Sequence, residues 1–314
     1  MNTQPNNPAQ NQEQNSSVSF RIDKTKFEAS RNQAPTVEWA RISPNKVIVA
    51  NSERAWLLED TAQTASPNPA TQYLNQSMSG SGSIATTRQL LDGAIAAAKY
   101  AVNSDVRPPA LTVSRWVWRL ASQYHLSYTY PLLIKEASQK FQQKGNFLLS
   151  SWAEEKVLEE KDHYLLALKD IQSLGYDAND TVKELFPPAA KVLVDYLHRS
   201  VYDENPIDCV GYSYVMERLA LGVSKDYIRD VEALFPSNIK ATRCLQAHSS
   251  VGADTKHVEE TATMISELSS NERVRITRAC YETALICFSP DHKGYMTDKT
   301  LNPILDKVKS NKSC

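Results

Sequence analysis

No apolar run in this 314-residue chain approaches the ~20 residues needed to span a bilayer, so no membrane insertion is expected. Neither sign of charge is in excess: 35 basic residues face 36 acidic ones, for a formal net charge of −1. Nucleic acid and anionic membranes select basic patches, and this balance offers no case for either partner. Cysteines are few: Cys209, Cys244, Cys280, Cys287 and Cys314 are odd in number and lack Cys-x-x-Cys spacing. A disulfide framework and a thiolate zinc site are therefore both disfavoured. Cys280 and Cys287, seven apart on an apolar helical face, read as buried structural thiols. The opening "MNTQPNNPAQNQEQNSSVS" has neither the basic nor the apolar region of a secretory signal. A soluble, cytoplasmic protein is the expectation. No repeat of fixed period is present.

The chain changes character along its length. Residues 1–19 are rich in Asn, Gln, Ser and Pro and cannot bury enough surface to offset their ordering entropy. "TVEWARI" and "NKVIVANSERAWLL" are compatible with short strands or a docked arm. "SPNPATQYLNQSMSGSGS" reads as a flexible linker. A boundary near Ile84 is expected, with an N-terminal extension over 1–84 and a helical domain over 85–312. In that second part, segments such as "TTRQLLDGAIAAAKYAV", "FLLSSWAEEKVLEEKDHYLLALKDIQSL" and "ERVRITRACYETALICF" carry apolar residues at three-to-four spacing. Gly145-Asn146, Gly175-Tyr176-Asp177 and Phe186-Pro187-Pro188 punctuate helix ends. Ser270 is expected to cap the helix carrying Glu272 and Arg273. Pro131 is expected to break or kink its helix. No alternating run competes as a strand after residue 90. The spacing predicts an all-α bundle of roughly seven or eight helices.

Six histidines are few enough to follow singly. His125 and His198 read as packing or surface residues, and His292 as loop. His163 follows Glu159 and Glu160 by four and three residues, so at least one carboxylate shares its helix face. Glu-x-x-His is a pattern by which helical bundles present carboxylate and imidazole together to iron or manganese. An exposed edge of paired charges in "WAEEKVLEEKDH" is the plainer alternative. In "AHSSVGADTKHVEE", Asp254 and His257 are three apart. His248 joins them only if the backbone around Ser249–Gly252 is irregular, which Gly252 allows. Glu217 sits among Tyr212, Tyr214, Val215, Met216 and Leu219. A carboxylate in such surroundings either edges its helix beside Arg218 or meets a cation inside.

Together, "EEKDHYLLALKDIQSLGYDA", "GYSYVMERLA" and "HSSVGADTKHVEE" resemble the haem-oxygenase-like diiron oxidases and oxygenases. These are relatives of the TenA and PqqC proteins, with the CADD-like branch nearest. The resemblance spans roughly residues 90–290. It implies a seven- to eight-helix haem-oxygenase-like bundle binding two Fe(II) ions, or manganese, with O2 as co-substrate. Glu160 and His163 match the family's first acid–histidine pair, Glu217 its middle acid, and Asp254 and His257 its late pair. His248 is the candidate for the histidine before that pair, since Ser250 stands where the family has it. Glu155 and Glu159 are alternatives for a further acid N-terminal to His163, because Lys156 stands seven residues before it.

The implied activity is oxidation of a small amino-acid-like or fatty-acid-like substrate: N-oxygenation, oxidative C–C cleavage or desaturation. Tyr164, Tyr212 and Tyr214 would be pocket wall or hydrogen-bond donors. Arg218, Arg243 and Lys256 are candidates to pair a substrate carboxylate, and a homodimer is compatible. A helical binding protein with a partial or lost metal site is the alternative. A cofactorless PqqC-like oxidase is a third, and no cysteine stands out as a thiaminase-type nucleophile.

Overall fold

The computed structural model describes residues 37–59, 73, 77–78, 82–106, 108–249, 254–289 and 294–310, without the side chains of Asp254 and Thr255. The polar segment 1–19, most of the expected linker, His292 and Cys314 lie outside the described residues. No described helix is long and apolar enough to cross a membrane.

The two N-terminal segments form a three-stranded antiparallel sheet of β1 (Glu38–Ser43), β2 (Lys46–Ala50) and β3 (Ala55–Glu59), in the order β1-β2-β3. Its register pairs Trp39 with Val49 and Ile48 with Leu57. Strand alternation then puts Ala40, Ile42, Ile48 and Leu57 on one face, within the main core. Val47 and Val49 face the other way, toward Tyr73. The helices follow: α1 (Ile84–Val102), α2 (Val113–Gln143), α3 (Phe147–Glu159), α4 (Tyr164–Ser173), α5 (Ala178–Glu184), α6 (Pro188–Tyr202), α7 (Asp208–Ala220), α8 (Lys225–Glu232), α9 (Arg243–Ala247), α10 (Asp254–Ser266), α11 (Ser270–Phe288) and α12 (Asp298–Lys307). The longer ones, α1, α2, α3, α6, α7, α10 and α11, make the bundle. Beyond residue 90 the described strand pairing is a single bridge, Tyr176 to Lys309.

Local chemistry sets the helix starts. The side chains of Ser83, Thr112 and Asn146 accept from backbone N–H groups of the first turns of α1, α2 and α3. At α11 the cap is Ser269, one residue before the expected Ser270, and it forms a reciprocal capping box with Glu272. Of the break or kink expected at Pro131, the break is absent, for α2 continues through it. The largest departure lies in "FLLSSWAEEKVLEEKDHYLLALKDIQSL". It folds as α3 and α4, separated by a tight turn in which Asp162 takes a left-handed backbone (φ 65°). Aspartate tolerates that region better than most residues.

Two cores result. One joins the sheet to α1, α3, α6, α7, α10, α11 and the C-terminal half of α2. The other gathers Trp116 and Leu120 of α2, Ile171 of α4, Tyr227 of α8 and Leu301 of α12. At Gly211 of α7 an added Cβ would lie 2.6 Å from the Ile276 carbonyl oxygen, so α7 and α11 approach nearly backbone to backbone. The sheet is tied on by a buried ion pair. Arg273 Nη2 of α11 donates to Glu38 Oε1 of β1 at 2.6 Å, and Arg273 also donates to the Leu268 carbonyl.

Both side chains of that pair are buried (1% and 4% exposed). Removing one partner strands the other charge, which typically costs about 3–5 kcal/mol. Arg273→Met is expected to lower stability by about that amount in urea unfolding. The double variant with Glu38→Leu should recover a large part of the loss. Equal losses in the single and double variants would contradict this account.

Candidate metal centre

The turn between α3 and α4 brings the first carboxylate and imidazole together. Glu160 caps the C-terminus of α3, and its carbonyl accepts from the His163 backbone N–H at 3.3 Å. His163 Nδ1 and Glu160 Oε2 are 2.8 Å apart. The pair therefore meets across a turn, and the shared helix face expected from its spacing is absent. His248 arrives from elsewhere. It is the residue after α9, with φ −101° and ψ 35°, off the helix, and its ring lies edge-on to that of His163 at 4.9 Å between centroids. One ligand atom each from Glu160, His163 and His248 fall within 4.8 Å of one another.

Asp170 holds this assembly in register. It lies on α4, two turns after His163, and is fully buried. One of its oxygens accepts from Arg243 Nη1 at 2.9 Å, and the other accepts from the Cys244 backbone N–H at 2.9 Å. The start of α9 is thereby fixed to α4, and His248, one turn further on, is carried to His163. Arg243 is committed to this structural pair, and two other cations considered for a substrate carboxylate are likewise engaged. Arg218 makes a two-pronged pair with Asp92, at 2.9 and 2.8 Å, and Lys256 pairs with Glu260 at 3.0 Å.

The remaining sequence candidates gather around a different cation. Lys156 of α3 is buried (2% exposed). Its Nζ lies 2.8 Å from Glu159 Oε2 and 3.0 Å from Glu217 Oε1. His257 Nε2 of α10 lies 3.2 Å from the other oxygen of Glu159. Glu217 thus faces Lys156, and Glu159 serves both Lys156 and His257. Glu155 and Glu159 also approach Glu260 at the half-exposed margin, where Lys256 supplies positive charge. Asp254 opens α10, but its side chain is outside the described residues.

Electrostatics separates the two groups. Burial alone would raise the Glu160 carboxyl. The hydrogen bond from His163 and the nearby His248 and Lys156 outweigh that and hold it below the usual carboxylate range. Burial pushes His248 down, which favours the neutral imidazole a metal requires. Burial would also lower the Lys156 ammonium, but the Glu217 and Glu159 carboxylates more than offset it and keep it charged. His257 is lowered by burial and then by Lys156.

Whether the three residues suit a metal can be tested on His248. Its Nε2 is buried and has no hydrogen-bond partner among the described residues, a condition that is costly for a polar atom unless something ligates it. One carboxylate and two imidazoles are the donor set that iron or manganese takes. The residues present fit such an ion at Glu160, His163 and His248.

A cavity of about 240 Å³ opens on this centre, with Glu160, Glu217 and His248 in its wall and Leu120, Leu126, Met216 and Leu245 supplying apolar surface. A second, of about 430 Å³, shares Arg119, Gln123, Leu126, Met216, Leu219 and Val223 with it. Tyr212 lines the first. Tyr214 turns away to Asp92, and Tyr164 packs edge-on against Tyr124 and Tyr128. His125 Nε2 donates to the Leu185 carbonyl, and His198 lies against Tyr202. Sequence reasoning missed Tyr130, which lines the cavity and donates to Ser213 Oγ at 2.8 Å. It also missed Arg119 at the junction of the two cavities. No short-range motif marks either one.

No protein-family model matches the sequence, and no curated protein matches it. Among solved structures, the chain is similar to a domain of unknown function with a heme oxygenase-like fold from Shewanella denitrificans OS217. That match has 22% identity and a TM-score of 0.45, over 71% of this chain and 89% of that one. It is also similar to a TenA homolog from Pseudomonas syringae pv. tomato str. DC3000. Here identity is 12% and the TM-score 0.48, over 68% of this chain and 96% of that one.

Because Asp170 touches no candidate ligand yet positions α9, Asp170→Asn separates placement from ligation. Mn(II) titration is expected to show affinity reduced by roughly 10-fold or more, as for groups that orient ligands from behind. Denaturation should show stability lowered by about 2 kcal/mol, from weakened charged hydrogen bonds. Unchanged affinity would mean that the α4–α9 tie does not position His248.

Proposed function

We propose that this chain is a metal-dependent oxidase or oxygenase that uses O2 on a small molecule with an extended apolar part, amino-acid-like or fatty-acid-like. The observation that carries the reading is the convergence of Glu160, His163 and His248, with Glu160 and His248 in the wall of a largely apolar cavity. The resemblance of the surrounding motifs to the haem-oxygenase-like diiron oxidases supports it. Ferrous iron, or manganese, held by these three residues would supply the O2 binding and electron transfer that no side chain provides alone.

The chain's own residues supply the rest. His163 and His248 offer imidazole nitrogens, and the ionised Glu160 contributes the balancing charge. Leu120, Leu126, Tyr212, Met216 and Leu245 keep the reacting region dry and orient the substrate's apolar part. Tyr130, buried and pushed well above the ordinary tyrosine value, keeps its phenolic proton and donates it to Ser213 Oγ. Ser213 in turn donates to the Cys209 carbonyl at 2.8 Å, so the hydroxyls along that wall are fixed. Arg119, whose guanidinium lies over the Tyr227 ring at 5.7 Å, offers positive charge where the two cavities meet. That position suits a substrate carboxylate whose chain reaches toward the centre.

A second reading, a binding protein with a partial metal site on the same helical frame, draws on Lys156 standing among residues expected as ligands. Anaerobic Fe(II) titration followed by O2 consumption assays with straight-chain fatty acids and α-amino acids separates the two. The expected result is Fe(II) uptake by the wild type, strongly reduced in a His163→Ala and His248→Ala double variant, with substrate-dependent O2 consumption. Neither Fe(II) nor Mn(II) uptake by the wild type would end the metal-enzyme reading. Uptake without O2 consumption on any substrate would favour the binding protein.

A further inference from the structure

We propose that the Lys156 ammonium permanently occupies the place of a second metal ion, so that the centre takes one metal ion at Glu160, His163 and His248. This rests on the metal-centre reading above and deepens it. Lys156 Nζ is within 3.0 Å of carboxylate oxygens from two helices, Glu159 of α3 and Glu217 of α7. The Glu159 carboxylate it holds is the one His257 of α10 also contacts, at 3.2 Å. Glu155 lies at the exposed margin with Glu260, where Lys256 supplies positive charge, and the Asp254 side chain is outside the described residues; Glu159, Glu217 and His257 are then the inward candidates remaining once Glu160, His163 and His248 are assigned. A second ion held by them would have to enter where a buried ammonium already makes both of those pairs.

Charge gives an independent argument. Around the buried Lys156 ammonium and the candidate metal position stand three half-buried carboxylates: Glu159, Glu160 and Glu217. One ammonium and one divalent ion neutralise them, with the imidazoles neutral. A second divalent ion beside Lys156 would leave a net positive charge of two in a low-dielectric interior, where like charges repel strongly. Loss of the lysine would reverse this, leaving the Glu159 and Glu217 carboxylates without their cation and His257 beside them. The lysine and a second ion are alternatives, and the sequence has fixed the lysine.

The test is metal stoichiometry, measured on the full-length protein independently of turnover. Anaerobic Mn(II) titration followed by electron paramagnetic resonance of free and bound ion should give one tight equivalent in the wild type and in Lys156→Arg. Lys156→Met, nearly isosteric and uncharged, should bind two, the second weaker, with the signal broadened by coupling between neighbouring ions. Two tight equivalents in the wild type would overturn the inference while leaving the metal-centre reading intact. One equivalent in both wild type and Lys156→Met would also overturn it, since the lysine would then be no barrier. No binding by the wild type would remove the metal-centre reading itself and this inference with it. Should Lys156→Met not fold by circular dichroism, Lys156→Gln takes its place with the same outcomes: two equivalents support the inference and one overturns it.

Discussion

A buried ammonium has few tolerable environments, and Lys156 constrains the middle of this molecule accordingly. Moving a lysine head group from water to a protein interior costs several kcal/mol even after relaxation. It remains charged there only if carboxylates converge on it. Glu159 comes from the same helix and Glu217 from α7, so satisfying the lysine fixes how α3 lies against α7. His257 then seats α10 through the second oxygen of Glu159. The same requirement sorts the two adjacent carboxylates. Glu159, in the last turn of α3, turns toward Lys156. Glu160, one residue later, turns toward His163 and His248. Neighbouring residues of identical chemistry thus serve two different cation positions.

The candidate metal position, Glu160, His163 and His248, lies at the seam between the two cores. Its ligands come from the α3–α4 turn and from the residue after α9, so neither core alone can build it. The long helix α2 contributes to both cores and supplies Leu120, Leu126 and Tyr130 to the cavity between them. Seam positions leave room for a cavity because side chains from independently packed cores need not interdigitate there. They also require a specific tie across the seam. Asp170 provides it, joining α4 to the first backbone N–H groups of α9 at no exposure to solvent.

Much of the helical frame was legible. Apolar spacing located the long helices, and alternation in "NKVIVANSERAWLL" was compatible with the strands that form. The turn at residues 160–163 was not legible, because the three-to-four apolar spacing runs on across it, from Trp152 and Ala153 to Ala167 and Ile171. A turn that preserves helical phase leaves no mark in periodicity, and only the left-handed Asp162 betrays it. The pairing of Arg218 with Asp92 and of Arg243 with Asp170 joins residues far apart in sequence, which no local pattern encodes. Lys156 was readable in principle. It follows Leu149, Trp152 and Ala153 on the buried stripe of α3, and a lysine on such a stripe requires buried carboxylates somewhere in the fold.

If one ion does the work, the chemistry is constrained further. Reducing O2 fully takes more electrons than a single first-row ion releases, and neither Lys156 nor the carboxylates around it can store any. The balance must come from the substrate or from an external donor reaching the site. Two adjacent cavities that share Leu126, Met216 and Leu219 in their walls suit the first source, since a substrate lying along those residues would present its oxidisable carbon or nitrogen directly to the proposed centre. Tyr130 keeps its proton under the pull of burial and cannot serve as a ready base, which leaves proton release to the substrate end of the cavity. The fixed ammonium also pairs with Glu217 at the cavity wall. A carboxylate held there favours substrates whose reacting end is neutral or cationic, and Arg119, further out at the junction, favours an anionic far end. Under the proposed function, an amine or alkyl terminus inward and a carboxylate outward is the orientation that this charge arrangement would select.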